Sequence, residues 1–202
     1  MNRLVSMAEI EVVGVVKAQP LSLSRHGRQR LDRYLRRVGW RFAWLLFFQR
    51  IVQGIGFALS MVLPASRKRL LPARKIARLH NIPVFETRDI NAPASIEFIG
   101  DCRPDILVSA YFSQILKAQV LQVAEHGVLN IHPGWLPSYR GAMAYFWVLH
   151  NGSDRGGVSV HWIDEGIDSG EILERRGFSI PANATQETVL HLTAVIGTRL
   201  LP

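Results

Sequence analysis

A chain of 202 residues, 48% hydrophobic and 20% charged, is long enough to bury a core and has the composition of a globular protein, not of a disordered or fibrous one. Its single cysteine, Cys102, excludes an internal disulfide framework and fits a reducing compartment. The net charge of +8 is local: Arg25 to Phe85 carries fourteen Lys/Arg against one acid, Asp32, while the rest is mildly acidic.

The opening MNRLVSMAEIEVVGVV lacks an apolar run followed by a small-residue cleavage site, so no cleavable leader is expected. EIEVVGVV (9–16) is a β-branched run of the kind found in strands buried on both faces. IPVFET (82–87) and PDILVSAYF (104–112) read the same way. GVLNIH (127–132) is the next strand, GVSVHWID (157–164) alternates as a half-buried strand, and GEILERRGFSI (170–180) is another. Helices are expected at 66–80, 113–125, 142–151 and 185–200. Strands alternating with helices predict an α/β domain with a mostly parallel sheet. Ligands in such sheets bind beyond the carboxyl ends of the strands.

Residues 17–64 break this rhythm and read as an insertion within one domain spanning 1–202. Seven arginines from Arg25 to Arg41 lead into FAWLLFFQRIVQGIGFALSMVLP (42–64). That stretch is long enough to span a bilayer, but Arg50 near its centre would cost about 3 kcal/mol. Two readings stand. The segment packs on the domain through Trp44, Leu45, Phe48 and Ile51, or residues 25–64 lie on an anionic membrane surface. A nucleic-acid interface is not expected, because the basic segment carries no recognised reading motif.

The chemistry concentrates in VLNIHPGWLPSYRG (128–141). In a strand alternate side chains share a face, so Asn130 and His132 point one way and Ile131 the other, and Pro133 ends the strand there. Downstream, IDEGIDSGEIL (163–173) crowds Asp164, Glu165 and Asp168 into a glycine-containing loop. Acids in turns are commonly structural. A carboxylate here can also orient or charge an imidazole on the neighbouring strand. An amide, an imidazole and an acid together suit transfer through a tetrahedral intermediate, two donors on the oxyanion and the acid moving protons. His126, His150, His161 and His191 lie outside any motif, and no histidine has metal-ligand spacing.

NIHPGWLPSYRG followed by DEGIDSGEIL resembles the folate-dependent formyltransferases, a family that includes glycinamide ribonucleotide transformylase, methionyl-tRNA formyltransferase and sugar N-formyltransferases. The resemblance covers residues 8–16 and 72–200. It implies a Rossmann-like fold and a cytoplasmic enzyme, with Asn130, His132 and Asp168 as catalytic residues and 10-formyltetrahydrofolate as donor. It also implies a pterin pocket along SAYFSQIL and WIDEGID, and so places Phe112, Ile115, Leu116, Asp164, Gly166 and Ile167 at the folate. The expected partner is a small-molecule amine, with peripheral membrane contact through 25–64 as a second expectation.

Three departures shape the acceptor expectation. Family members begin with a strand and helix ahead of the strand read at 9–16, so the sheet is expected to lack its first strand unless the chain continues upstream. The tRNA-binding C-terminal domain of methionyl-tRNA formyltransferases has no counterpart before Pro202. The last helix reads AVIGT (194–198) where the purine enzymes carry an acid. An amino sugar is therefore the expected acceptor. Methionyl-tRNA, glycinamide ribonucleotide or a non-catalytic folate-binding remnant are the alternatives.

Overall fold

The computed structural model describes residues 1, 4–19, 44, 48, 51, 52 and 73–201. After a 3-10 turn at Leu4–Ser6, the chain forms β1 (Val15–Ala18), α1 (Ala73–Leu79), β2 (Val84–Thr87), α2 (Pro93–Asp101) and β3 (Leu107–Ala110). It continues through α3 (Ala118–Leu121), β4 (Val128–His132), α4 (Ala144–His150), β5 (Arg155–Trp162), β6 (Ile172–Ser179) and α5 (Gln186–Leu200).

The expected α/β class is what the structure shows. β1 and β2 pair in parallel, as do β3 and β4, with helices between the paired strands. β5 and β6 then join antiparallel, giving the order β3-β4-β5-β6. Among the described residues β1 and β2 form a separate two-stranded sheet.

Several elements differ in extent from expectation. The first strand begins at Val15, not at residue 9, because its partner β2 offers only Val84–Thr87 for the ladder. The helix expected at 113–125 shrinks to Ala118–Leu121. The segment before it is held as a loop: Gln114 Oε1 accepts from Ile90 N (2.7 Å) and Asn91 Oδ1 from Lys117 N (2.8 Å). Helix α2 was not expected. Pro93 starts it at a position where the missing N–H costs nothing, and Ser95 and Ile99 give it a buried face. Of the helix expected at 66–80, residues 66–72 lie outside the described residues, as does most of 17–64. Within that insertion, Trp44, Phe48 and Ile51 are helical and 64%, 63% and 43% exposed, while Leu45 lies outside the described residues.

Three apolar clusters hold the fold. Leu129, Ile131, Val158 and Val160 of the β4–β5 pair meet Leu200 and Leu201 at the end of α5. Ile90, Ile99 and Val120 close the space around α2 and α3, with Val16, Leu107, Phe112 and Leu116 against them. Val148, Ile180 and Val189 join α4 to α5. Helix α5 is capped by Thr185, whose side chain accepts from Thr188 N (3.2 Å), while Thr188 Oγ1 accepts from Thr185 N (3.2 Å).

The helix comes very near the strand at Gly197, where an added Cβ would lie 2.6 Å from Ile131 Cγ2. Ile131 is buried and β-branched, so it has little room to yield. Gly197→Ala is expected to destabilise the domain by about 1–3 kcal/mol through overpacking. The shift in the midpoint of urea unfolding measures it. No shift would mean that α5 moves freely off the sheet.

Candidate active site

The period-two geometry of β4 divides its side chains as the sequence implies. Ile131 enters the apolar cluster under α5, and Asn130 and His132 emerge on the opposite face. β5 runs antiparallel alongside, placing His161 across from Asn130 and Ser159 across from His132. The loop between β5 and β6 then brings Asp168 over both strands. Asp168 takes a left-handed backbone (φ 48), which turns its carboxylate inward.

That carboxylate gathers the site. Oδ2 accepts from Gly141 N (2.7 Å) and lies 3.3 Å from His132 Nδ1. Oδ1 accepts from Asn130 Nδ2 (3.3 Å) and lies 3.4 Å from His161 Nε2. Gly141 sits at φ 84, a conformation glycine adopts without strain, and this aims its N–H at the carboxylate.

His132 and His161 are 3% and 1% exposed. Each has one nitrogen on a main-chain carbonyl: His132 Nε2 on Tyr139 O (2.6 Å) and His161 Nδ1 on Trp162 O (2.7 Å). A carbonyl only accepts, so those nitrogens carry the hydrogens. In the neutral rings His132 Nδ1 and His161 Nε2 are therefore lone pairs facing Asp168.

Burial pulls the His132 pKa below its usual 6.5, and the Asp168 charge and the Tyr139 carbonyl only partly offset this. Burial alone would raise Asp168. Its close contacts with the His161 and His132 rings and the Gly141 N–H outweigh it and hold the carboxyl below its usual 3.8. Burial thus favours the uncharged imidazole, set against a carboxylate that its neighbours keep ionised.

The loop that carries Tyr139 and Gly141 is fixed from below. Ser159, fully buried, donates from Oγ to Gly134 O (2.8 Å) and accepts from Leu136 N (3.0 Å). Arg175 Nη1 donates to Leu136 O (2.8 Å) and its guanidinium lies 4.9 Å from the centre of the Trp135 ring. At the end of β3, Tyr111 donates its hydroxyl to Thr193 Oγ1 (2.7 Å) on α5, and burial pushes its pKa up to about 12.

Of the residues expected from sequence, Asn130, His132 and Asp168 come together. Ile115 and Ile167 are 74% and 63% exposed, and Ile167 Cγ2 approaches Gly141 beside Asp168. Phe112 and Leu116 are divided between surface and the cluster around Ile90. Asp164 Oδ1 is used within its own loop, accepting from Gly166 N (3.0 Å) and Ser169 Oγ (2.7 Å). His161 was set aside in the sequence as a histidine without a motif, and it belongs to the cluster. Its signal is the pair Ser159 and His161, two polar residues at alternate positions on the buried face of a strand.

The fold is that of an α/β domain, and the cluster lies at the carboxyl end of a parallel strand, where sheets of this class bind ligands. Within that class the chain belongs to the formyl transferase family, whose model matches residues 62–202. It is 40% identical over 130 residues to the methionyl-tRNA formyltransferase of Methylacidiphilum infernorum, covering 64% of this chain and 41% of that protein. It is similar in structure to phosphoribosylglycinamide formyltransferase from Bacillus halodurans (TM-score 0.59, 25% identity), over 67% of this chain and 73% of that one. It is also similar to a formyltetrahydrofolate deformylase from Pseudomonas syringae (TM-score 0.55, 25% identity), over 62% and 44% of the two chains. The chain thus spans about two-fifths of the length of the curated relatives it matches.

The depressed pKa values fix the pH dependence of stability. The unfolded chain binds the His132 proton more readily than the folded one, so this contribution is complete above the usual 6.5 and is lost as pH falls below it. Asp168 adds a further loss below its usual 3.8. The thermal midpoint is expected to drop between pH 7.5 and 5, and less steeply in His132→Gln. Parallel profiles for the two proteins would contradict a neutral, buried His132.

Proposed function

We propose that this domain transfers a formyl group from 10-formyltetrahydrofolate to an amine, with Asn130, His132 and Asp168 as its catalytic residues. The observation that carries the reading is the buried contact of His132 Nδ1 with Asp168 Oδ2 at 3.3 Å, beside the Asn130 amide. An amine becomes cationic as it bonds to a carbonyl carbon and must lose a proton. The gap between Nδ1 and Oδ2 receives it, and the same pair returns it to the departing nitrogen. Asn130 donates an N–H to the developing oxyanion. Its two Nδ2 hydrogens face His161 and Asp168 in this structure, so the amide shares or turns one of them to do so.

The residues present fit the folate donor. Exposed Ile115 and Ile167 offer apolar surface, the second of them next to the carboxylate, and the Asp164–Gly166 turn offers main-chain groups. Bound there, 10-formyltetrahydrofolate supplies the electrophilic formyl carbon. The relatives are named for methionyl-tRNA and phosphoribosylglycinamide, so these two are the first acceptors to assay, ahead of the amino sugar expected from the sequence. Asn130→Ala, His132→Ala and Asp168→Ala are each expected to lower turnover by ~10²–10³ while the far-UV circular dichroism is unchanged. Wild-type turnover in His132→Ala would remove the assignment.

A second reading concerns the insertion, which we infer meets an anionic membrane surface. Phe48, Ile51 and Val52 are helical, exposed and spaced to share one face. Seven arginines precede this stretch and six basic residues follow between Arg67 and Arg78. Each Lys or Arg near such a surface adds ~1 kcal/mol. Among the described residues no helix is long and apolar enough to cross a membrane; the contact proposed is peripheral because Gln49, Arg50 and Gln53 interrupt the apolar stretch. The protein is expected to pellet with vesicles containing phosphatidylserine at low salt and to be released at high salt. Equal recovery with neutral vesicles would leave the segment as an insertion without this role.

A further inference from the structure

The mechanism above uses Asn130, His132 and Asp168 and leaves His161 without a part. His161 is nevertheless among the most buried side chains, and it has polar partners on both ring nitrogens. Its outer nitrogen, Nδ1, lies 2.7 Å from the carbonyl of Trp162 and must donate to it. The inner nitrogen, Nε2, lies 3.1 Å from Asn130 Nδ2 and 3.4 Å from Asp168 Oδ1.

Only one arrangement satisfies these contacts without an extra proton. An ionised Asp168 can only accept, so the Asn130 atom 3.3 Å from Oδ1 is the nitrogen. One Nδ2 hydrogen goes to Asp168 and the other to the lone pair on His161 Nε2. The amide bridges two acceptors that would otherwise face each other, and its oxygen is turned away from them. A protonated Nε2 would instead point a hydrogen at the amide nitrogen and push the amide out of this orientation.

We propose that His161 is a positioning residue, held as the neutral Nδ1–H tautomer by the Trp162 carbonyl, whose Nε2 sets the direction in which Asn130 presents its amide. The proposal rests on the formyl-transfer reading for its consequence in rate, but not for its geometry. His161 would touch neither the formyl donor nor the amine. It acts by fixing which edge of Asn130 faces the reacting carbon, and misplacement of such a group costs about 10- to 100-fold in turnover.

Two measurements test it. In the full chain at pH 8, two-bond nitrogen–proton NMR of the histidine rings is expected to show His161 Nδ1 as pyrrole-like and Nε2 as pyridine-like. The Asn130 side-chain amide signals should move in His161→Phe and return toward wild type in His161→Gln, whose Oε1 can accept in place of Nε2. In assays with 10-formyltetrahydrofolate and methionyl-tRNA or phosphoribosylglycinamide, His161→Phe should lose about 10- to 100-fold in kcat with KM little changed, and His161→Gln should recover most of it. The opposite tautomer, an imidazolium at pH 8, or Asn130 signals unmoved in His161→Phe would overturn the proposal. So would wild-type kcat in that variant. If wild type itself transfers no formyl group, the transfer reading fails, while the ring and amide signals still decide the role of His161.

Discussion

The carboxylate of Asp168 is the point on which the site depends, because it closes a space that no single strand could organise. Asn130 and His132 come from β4, His161 from β5 and the Gly141 N–H from the loop between β4 and α4. Without the acid, the Gly141 N–H and one hydrogen of the Asn130 amide would lose their acceptor. An unsatisfied buried donor or acceptor costs about 1–3 kcal/mol, so the cluster is a constraint on the fold whatever chemistry it carries. The left-handed backbone of Asp168 is the local strain accepted to reach it.

The support beneath the cluster follows the same logic. Antiparallel pairing puts Ser159 opposite His132, and its hydroxyl serves both Gly134 O and Leu136 N. One side chain on β5 thereby fixes the loop whose later residues hold His132 and Asp168. On the other side of the sheet, Ile131 and Gly197 bring α5 against β4 at close range. The strand that carries the amide and the imidazole is therefore clamped on both faces, by apolar contact below and by hydrogen bonds above.

Much of this was legible in the chain. The alternation of β4 places Asn130 and His132 on one face, and Pro133 ends the strand where the loop must begin. The glycine-containing loop with Asp168 follows the next strand. His161 was not legible, because its role depends on the register Asn130↔His161, and register requires knowing which strands pair and in which direction. Phe112 and Leu116 show a different limit. Apolar residues after a strand can line a pocket or fill a core, and here the Ile90 cluster takes part of both. Helix α2 escaped notice because nine residues starting at a proline give too short a pattern to separate from a loop.

The two imidazoles share a feature with a wider meaning. Their outer nitrogens are held by the peptide carbonyls of Tyr139 and Trp162, not by side chains. Main-chain acceptors survive any substitution that keeps the backbone path. The tautomers are thus written into the course of the chain itself, and the identities of residues 139 and 162 are free to answer to packing alone. Drift at those two positions can alter the packing around the site without reassigning a single proton within it.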